Sequence, residues 1–389
     1  MIPVSEALDR IRGLIQTMPV ELVQLRSCAN RILATSVAAQ RTQPPFAASA
    51  MDGYAVRDAD ATVGATLNVI GESQAGLGYA GSLPAGAAIR IFTGAPVPSG
   101  ADRIVIQEDV TRTDACITIN ATEDGRHIRP AGADFKTGDH VEPGPITPAR
   151  IALLAAMNIA EVPVYRRPVV ALISTGDELV VPGETPGPDQ IVSSNIYAVA
   201  AIIEAAGGIA RILPIAPDTV SGLRAVLDLA RGADMIVTLG GASVGDHDLV
   251  AQVAGDAGLA LDFYKVAMRP GKPLMAGRLG DAVMIGLPGN PVSAFVCAHV
   301  FLRPALDRML GGAGDALPRV VHPLAEAIGP NGGREHYMRA VRTDQAVRVF
   351  QRQDSALLSV LDAANTLVVR PPNDAAHDVG DLVETIPLD

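Results

Sequence analysis

Tryptophan is absent from the 389-residue sequence and aromatic side chains make up only 3% of it, so its cores must rest on Val, Ile, Leu and Ala. The same shortage removes the platforms on which single-stranded nucleic acid is stacked. A basic excess is missing too: 31 Lys and Arg stand against 42 Asp and Glu, a formal net charge of −11. Nucleic acids and anionic membranes both reward broad basic surfaces, so neither is expected as a partner. An anionic small molecule is compatible with that balance where cations are gathered locally. Cysteine is scarce, and Cys28, Cys116 and Cys297 stand singly in apolar surroundings without C-x-x-C spacing. They are expected as small core residues, not ligands or disulfide partners, which fits a reducing cytoplasm. No apolar run reaches membrane-spanning length without polar interruption, and residues 1–12 carry charges at helical spacing in place of an apolar signal core. A soluble, cytoplasmic chain is therefore expected.

What is present is 48% apolar residues, over a length that suggests roughly two to four domains. Residues 4–16 place Ala7, Leu8, Ile11, Leu14 and Ile15 on one face, predicting a short amphipathic helix. A second helix is read at residues 25–34. Gln43-Pro44-Pro45-Phe46 then breaks regular structure, and Asp52-Gly53 beyond it marks a turn that presents a carboxylate. Short β-like runs at residues 67–70, 88–92, 103–107 and 116–119, separated by Gly and Pro, predict a small β-rich insert. Within it, Arg90-Ile91-Phe92-Thr93-Gly94 ends a strand in a hydroxyl and a glycine. The helical period returns at residues 148–160.

Beyond Pro168 strand and helix alternate. A buried-strand run at residues 169–173 is followed by a helix over 196–206 that Asn195 caps. A strand at 209–215 leads to a helix that Thr219 caps. Strands follow at 235–239, 260–267 and 282–287, and Pro291 opens a long helix to about residue 310. This order predicts a doubly wound parallel sheet, whose ligands bind beyond the carboxyl ends of its strands. No G-x-G-x-x-G or Walker A sequence stands at those ends, which disfavours a nicotinamide dehydrogenase or a P-loop nucleotidase. The rule selects Ser174-Thr175-Gly176-Asp177-Glu178, Asp218, Pro288-Gly289-Asn290 and, above all, Gly240-Gly241-Ala242-Ser243-Val244-Gly245-Asp246-His247-Asp248. Glycines there admit close backbone approach to a ligand. Glu178, Asp218, Asp246 and Asp248 are hard oxygen donors suited to Mg²⁺ with substrate phosphate. Lys265, Arg269 and Lys272 suit an anion. Together they describe a site for a phosphorylated or nucleotide-bearing substrate and a divalent metal. Runs at 320–328, 336–342, 347–351, 366–370 and 382–386 predict a terminal β-barrel or sandwich. The reading is a multidomain α/β chain in four parts: an N-terminal helical or mixed domain (1–50 and 140–166), a β-rich insert (51–139), a doubly wound α/β domain (167–312) and a C-terminal β-barrel (313–389).

Six blocks resemble one family in its own order. They are Ser49-Ala50-Met51-Asp52-Gly53-Tyr54-Ala55, Thr93-Gly94-Ala95-Pro96-Val97-Pro98, Ser174-Thr175-Gly176-Asp177-Glu178-Leu179, the Gly240 to Asp248 run, Pro270-Gly271-Lys272-Pro273 and Gly286-Leu287-Pro288-Gly289-Asn290-Pro291-Val292-Ser293. The family is MoeA, the molybdopterin molybdenumtransferases related to the gephyrin E domain, and its α/β domain binds molybdopterin. The resemblance implies insertion of molybdate into adenylylated molybdopterin with release of AMP, giving molybdenum cofactor. It implies Asp52, Asp248, Lys265 and Arg269 as catalytic, and Glu178, Asp218 and Asp248 as Mg²⁺ ligands. Substrate contacts are expected from Thr93, Ser174, Thr175, Gly240, Gly241, Ser243, Lys272, Pro288, Gly289 and Asn290, and from Arg334, Arg339 and Ser355 in the last domain. Family members are dimers whose site receives residues from the other subunit's N-terminal part, so a homodimer with a shared site is expected, and Asp52 and Thr93 gain a reason to matter. A molybdopterin adenylyltransferase is a further candidate partner. Arg269 stands where the family usually has Lys, a change of fork geometry at constant charge, and Asp354 stands where glycine is common. The alternatives are a molybdopterin adenylyltransferase, disfavoured by the extra N- and C-terminal parts, and a gephyrin-like binding scaffold.

Overall fold

A computed structural model describes residues 1–241 and 249–388. They form two compact units, Met1–Glu21 with Tyr165–Asp389, and Leu22–Val164. The larger unit is built on a six-stranded sheet in the order Ile209–Ile212, Val169–Ser174, Met235–Leu239, Ala282–Leu287, Met275–Leu279, Leu259–Tyr264. The first four strands are parallel, and Met275–Leu279 runs antiparallel to both of its neighbours. Its central strands are near-continuous apolar runs because both faces are covered. Val170, Leu172, Val237 and Ile285 face one core with helices Asn195–Ala205 and Pro291–Cys297. Ala171, Ile173, Ile236 and Met284 face another with helices Val220–Leu229 and Leu249–Asp256. Two covered faces on a parallel sheet make the doubly wound arrangement that the alternation predicts. No helix among the described residues is long and apolar enough to cross a membrane.

The first helix, Val4–Leu14, buries Val4, Ala7 and Ile11 in the same core as Val237 and Ile285. Thr219 caps its helix as expected, its hydroxyl accepting the Gly222 N–H at 3.0 Å. Asn195 does not cap: it is the first helical residue, and its amide Nδ2 donates to the Gly289 carbonyl at 2.5 Å. The long helix after Pro291 widens into a π turn at Ala298–Leu302, just before Pro304, whose ring nitrogen has no proton for a helical bond.

The last strands close on themselves. Val320–Pro323, Leu382–Pro387, Thr366–Arg370, Glu335–Arg342 and Val347–Val349 pair antiparallel in that order, and Leu324 bridges back to Val347. That bridge makes a barrel, with Leu324, Ala340, Val347, Val368 and Val383 inside. The short strand Met268–Arg269 joins it in parallel beside Glu335 and His336, tying the barrel to the loop that leaves the α/β sheet.

The smaller unit holds the β-rich insert, a six-stranded sheet running Arg103–Ile106, Gly53–Val56, Ala87–Ile91, Thr66–Ser73, Cys116–Ile119, Val110–Thr113. The helix expected at residues 25–34 is absent. In its place are the 3-10 turn Leu25–Ser27 and the strand Ile32–Leu33, which pairs with Gly144–Pro145 and with Val164. Asn30 between them has φ 60°, a left-handed conformation that ends a right-handed helix. Long-range strand pairing overrides the local apolar spacing here.

Candidate active site

Three parallel strands deliver three loops to one end of the sheet. After Val169–Ser174 comes Thr175, after Met235–Leu239 come Gly240 and Gly241, and after Ala282–Leu287 come Pro288, Gly289 and Asn290. The Thr175 N–H donates to Leu239 O at 3.1 Å and the Gly240 N–H to Leu287 O at 3.2 Å, so each loop is pinned to the next. Gly240 and Gly241 have φ +91° and +68°, conformations that L side chains resist. A Cβ on Gly241 would stand 2.3 Å from Val250 Cγ2 and 2.9 Å from Thr175 Oγ1, and one on Gly289 would stand 3.3 Å from Gly240 Cα. The Thr175 hydroxyl is buried and makes no hydrogen bond among the described residues. A buried hydroxyl without a partner costs folding energy, and this one lies beneath a glycine turn in the cavity wall.

The cavity has a volume of about 990 Å³, large for a small-molecule site. It gathers Ser174, Thr175, Glu178, Asp218, Gly240, Gly241, Pro288, Gly289 and Asn290 from the sequence expectations. Ser193, Ser194, Asn195, Gln252, Ile191 and Val192 also line it, without having been anticipated. The run Ser193-Ser194-Asn195 carries a signal, three small polar groups before a helix, which local spacing reads as a cap at Asn195. Asn195 instead ties the Gly289 carbonyl down, while Ser194 Oγ donates to Asn195 Oδ1 at 3.2 Å.

Among the described residues, Glu178 and Asp218 supply the cavity's negative charge. Partial burial, then the neighbouring charges of Asp177 and Glu178, raise the Asp218 carboxyl above the usual carboxylate range against the opposing pull of the Asp177 backbone N–H; the Asp218 N–H in turn donates to Asp177 Oδ1 at 3.1 Å. Among the described residues no three His, Cys, Asp or Glu side chains form a metal-holding group. Two carboxylates with hard oxygens nevertheless fit the way Mg²⁺ is held alongside substrate phosphate and water. Ser243 and Asp248, with Asp246 and His247, lie outside the described residues.

Lys265, Arg269 and Lys272 are not in the cavity lining. None of the three makes an ion pair or side-chain hydrogen bond among the described residues. Their loop is fixed by backbone: the Lys265 N–H donates to Leu274 O and the Val266 N–H to Lys272 O. Lys265 has φ +82°, and its ammonium lies 5.1 Å from the Tyr264 ring centroid. Arg269 stands beside His336, which in turn stands beside Arg370 on the next strand. Burial first, then Arg269, Arg370, Arg334 and Arg339, push the His336 imidazole down to about 4, so it is neutral amid cations. Arg334 reaches the Met268 carbonyl at 3.4 Å. Arg339 is placed differently from expectation: it is 1% exposed, and its guanidinium donates to Leu357 O and Arg352 O. The Ser355 carbonyl accepts the Val292 N–H at 3.0 Å. Asp354 Oδ1 accepts the Ala356 N–H at 2.8 Å, a local turn that accounts for a carboxylate where glycine is common.

In the smaller unit, Asp52 and Thr93 form a pair. Asp52 Oδ1 accepts the Thr93 N–H at 2.7 Å and its hydroxyl at 2.8 Å. Those bonds, aided by the Arg90 charge, hold the carboxyl below the usual range. Arg90 lies 5.1 Å from the Tyr54 ring centroid and 4.9 Å from that of Phe92, and donates to Gly53 O and Gln107 Oε1.

Comparison with known proteins matches three consecutive regions. Residues 2–158 match the MoeA N-terminal region (domain I and II), 171–308 a probable molybdopterin binding domain, and 322–388 the MoeA C-terminal region (domain IV). A molybdopterin molybdenumtransferase from Haemophilus influenzae is 37% identical over 78% of each chain. One from Nostoc is 38% identical over 82% of this chain and 76% of that one. A molybdopterin biosynthesis MoeA structure from Pyrococcus horikoshii superposes with a TM-score of 0.83 at 27% identity, covering 99% of this chain and 100% of the other. With the strand-end cavity and the barrel as described, the chain belongs to the MoeA family.

Proposed function

We propose that this chain is a molybdopterin molybdenumtransferase that inserts molybdate into adenylylated molybdopterin and releases AMP. The observation that carries the reading is the cavity at the strand ends, where a glycine turn and the Glu178–Asp218 carboxylates line one space, with the Thr175 hydroxyl buried beneath the turn and without a partner among the described residues. The Gly241 N–H suits a phosphate oxygen, the Gly240 N–H being held by Leu287 O. The cations Lys265, Arg269 and Lys272, which make no ion pair among the described residues, would hold anionic substrate, with Ser243 as a further substrate contact and Asp248 as a further metal ligand. Molybdate, a small oxyanion, would be held by Arg269 and Arg334, while buried Arg339 contributes field. Mg²⁺ on Glu178, Asp218 and Asp248 would neutralise charge at the phosphoanhydride. Glu178 and Asp218 orient that end of the substrate, and the Gly240–Gly241 turn excludes side chains from it.

The chain is proposed to act in the cytoplasm as a homodimer, the Asp52–Thr93 pair of one subunit completing the partner's site, with the four-part domain division given above. The test is AMP release from purified protein given adenylylated molybdopterin and Mg²⁺. Release that begins on adding molybdate is expected. Adenylylation of molybdopterin from ATP without molybdate would identify an adenylyltransferase instead. A stoichiometric peptide partner without turnover would identify a scaffold.

A further inference from the structure

Arg334 enters its strand from a turn that its own backbone does little to fix. Gly332 and Gly333 stand directly before it, and consecutive glycines leave a chain wide conformational freedom. Space does not demand glycine at either position. A Cβ on Gly332 would meet nothing within 4 Å, one on Gly333 would meet Asn373 Oδ1 at 3.8 Å, and neither residue has a left-handed φ. What fixes the turn is the half-buried side chain of Asn331. Its amide nitrogen donates to three backbone carbonyls, Arg334 O at 2.9 Å, Arg370 O at 3.2 Å and Pro371 O at 2.6 Å. Carbonyls only accept, so the amide stands nitrogen-inward with two protons shared among three oxygens. The backbone adds to the clasp: the Asn331 N–H donates to Asp374 O and the Asn373 N–H to Gly332 O, each at 2.8 Å.

The amide thus ties Arg334 across the glycine pair to the end of the strand Thr366–Arg370. On the other side the Glu335 N–H donates to Ala267 O at 3.0 Å, and the Arg334 guanidinium reaches Met268 O, one residue from Arg269. Neither Arg269 nor Arg334 has an ion-pair partner among the described residues. We infer that Asn331 is a positioning residue for oxyanion binding, its amide locking the Gly332–Gly333 turn so that Arg334 stands preset beside Arg269. This rests on the proposal that those two arginines hold molybdate. A preset guanidinium binds without first being ordered, whereas one on a loose glycine turn loses affinity to that ordering.

The test is AMP release by the full-length protein with molybdate varied, as wild type, Asn331→Ala, Asn331→Ala/Gly332→Ala/Gly333→Ala and Arg334→Ala. Thermal melts check folding, and Asn331→Ser, which keeps at most one of the three contacts, replaces the alanine variant if that one does not fold. Asn331→Ala is expected to raise the KM for molybdate about tenfold, the scale of ordering a long side chain and its turn. The KM for adenylylated molybdopterin should stay unchanged. The two added alanines restrict the turn without the amide, and should bring the molybdate KM most of the way back. Arg334→Ala should raise it at least as far as Asn331→Ala. An unmoved molybdate KM in Asn331→Ala with a raised one in Arg334→Ala would overturn the inference and leave the molybdate reading standing. Failure of the alanines to restore the KM would do the same, as would a parallel rise in both KM values, the mark of a purely structural lesion. An unmoved molybdate KM in Arg334→Ala would overturn the molybdate reading, and the inference with it.

Discussion

Asp218 shares the cavity with Glu178, and Asp177 touches its backbone, so three carboxylates stand where one positive ion or one proton relieves the repulsion. The proton affinity of Asp218 rises. Asp177→Asn removes a charge yet keeps the side-chain oxygen that accepts the Asp218 N–H. The Asp218 pKa should fall toward the ordinary value, and the acid limb of the pH–activity profile should move to lower pH. An unmoved limb would show that Asp218 ionisation does not limit activity. Thr175 gives a prediction of opposite signs for folding and binding. Thr175→Val removes a buried hydroxyl without a hydrogen bond, so stability should hold or rise by about 1 kcal/mol. On the proposal that the hydroxyl turns outward to bound phosphate, the variant lacks that donor and AMP affinity should drop roughly fivefold. Melting temperature and AMP titration read the two effects separately, and a fall in both would mean that the hydroxyl is structural. These strand-end residues were legible because a buried run stopping in small and acidic residues has one meaning in a parallel sheet. Ile191, Val192 and Gln252 were not, since exposure toward a cavity is not written in a residue's type. Arg339 shows the reverse: the resemblance implied a substrate contact, and its guanidinium is buried against the Leu357 and Arg352 carbonyls.

Three neighbouring strands, Met268–Arg269, Glu335–Arg342 and Thr366–Arg370, set Arg269, His336 and Arg370 side by side. Registry across strands is invisible to sequence periodicity, which is why His336 and Arg370 escaped notice while Arg269 did not. Its pKa of about 4 lies below the ordinary value near 6.5. The unfolded chain therefore takes up the proton first. The stability contributed is complete above about pH 6.5 and is lost as pH falls toward 4, on the order of 3 kcal/mol. His336→Gln should shrink the difference in unfolding free energy between pH 7.5 and pH 4.5 by about that amount, whatever its packing cost at neutral pH. Denaturant titrations at the two pH values measure it, and an unchanged difference would remove His336 from the acid response. His299, pushed to about 4 by burial and then by Arg303, persists in the variant and sets a floor on the remaining pH dependence. Element types with strong local patterns were legible, including Val4–Leu14 and the alternating strands and helices after Pro168. Residues 25–34 were not, because Ile32–Leu33 finds its partners more than a hundred residues away.

The first helix is close in sequence to the smaller unit, yet its buried face belongs to the core that holds Val237, Ile285 and Phe301. The smaller unit has cores of its own, one of them around Leu33, Leu154 and Val162. Membership in a core, not position along the chain, decides which folding transition a residue controls. Ile11 is 2% exposed and Leu154 is fully buried, so truncating either leaves a cavity costing about 2–5 kcal/mol. Ile11→Ala should lower the melting of the unit formed by Met1–Glu21 and Tyr165–Asp389, and Leu154→Ala that of Leu22–Val164. Hydrogen exchange distinguishes the two by region. In Ile11→Ala, amides of Met235–Leu239 should lose protection while those of Glu161–Val164 keep it, and in Leu154→Ala the pattern should invert. Equal loss in both regions for both variants would mean that the chain unfolds as one cooperative body. Sequence spacing identified the helix from its apolar face. Its allegiance to strands more than two hundred residues downstream is a property of the assembled core, and only a measurement that reports on both units at once tests it.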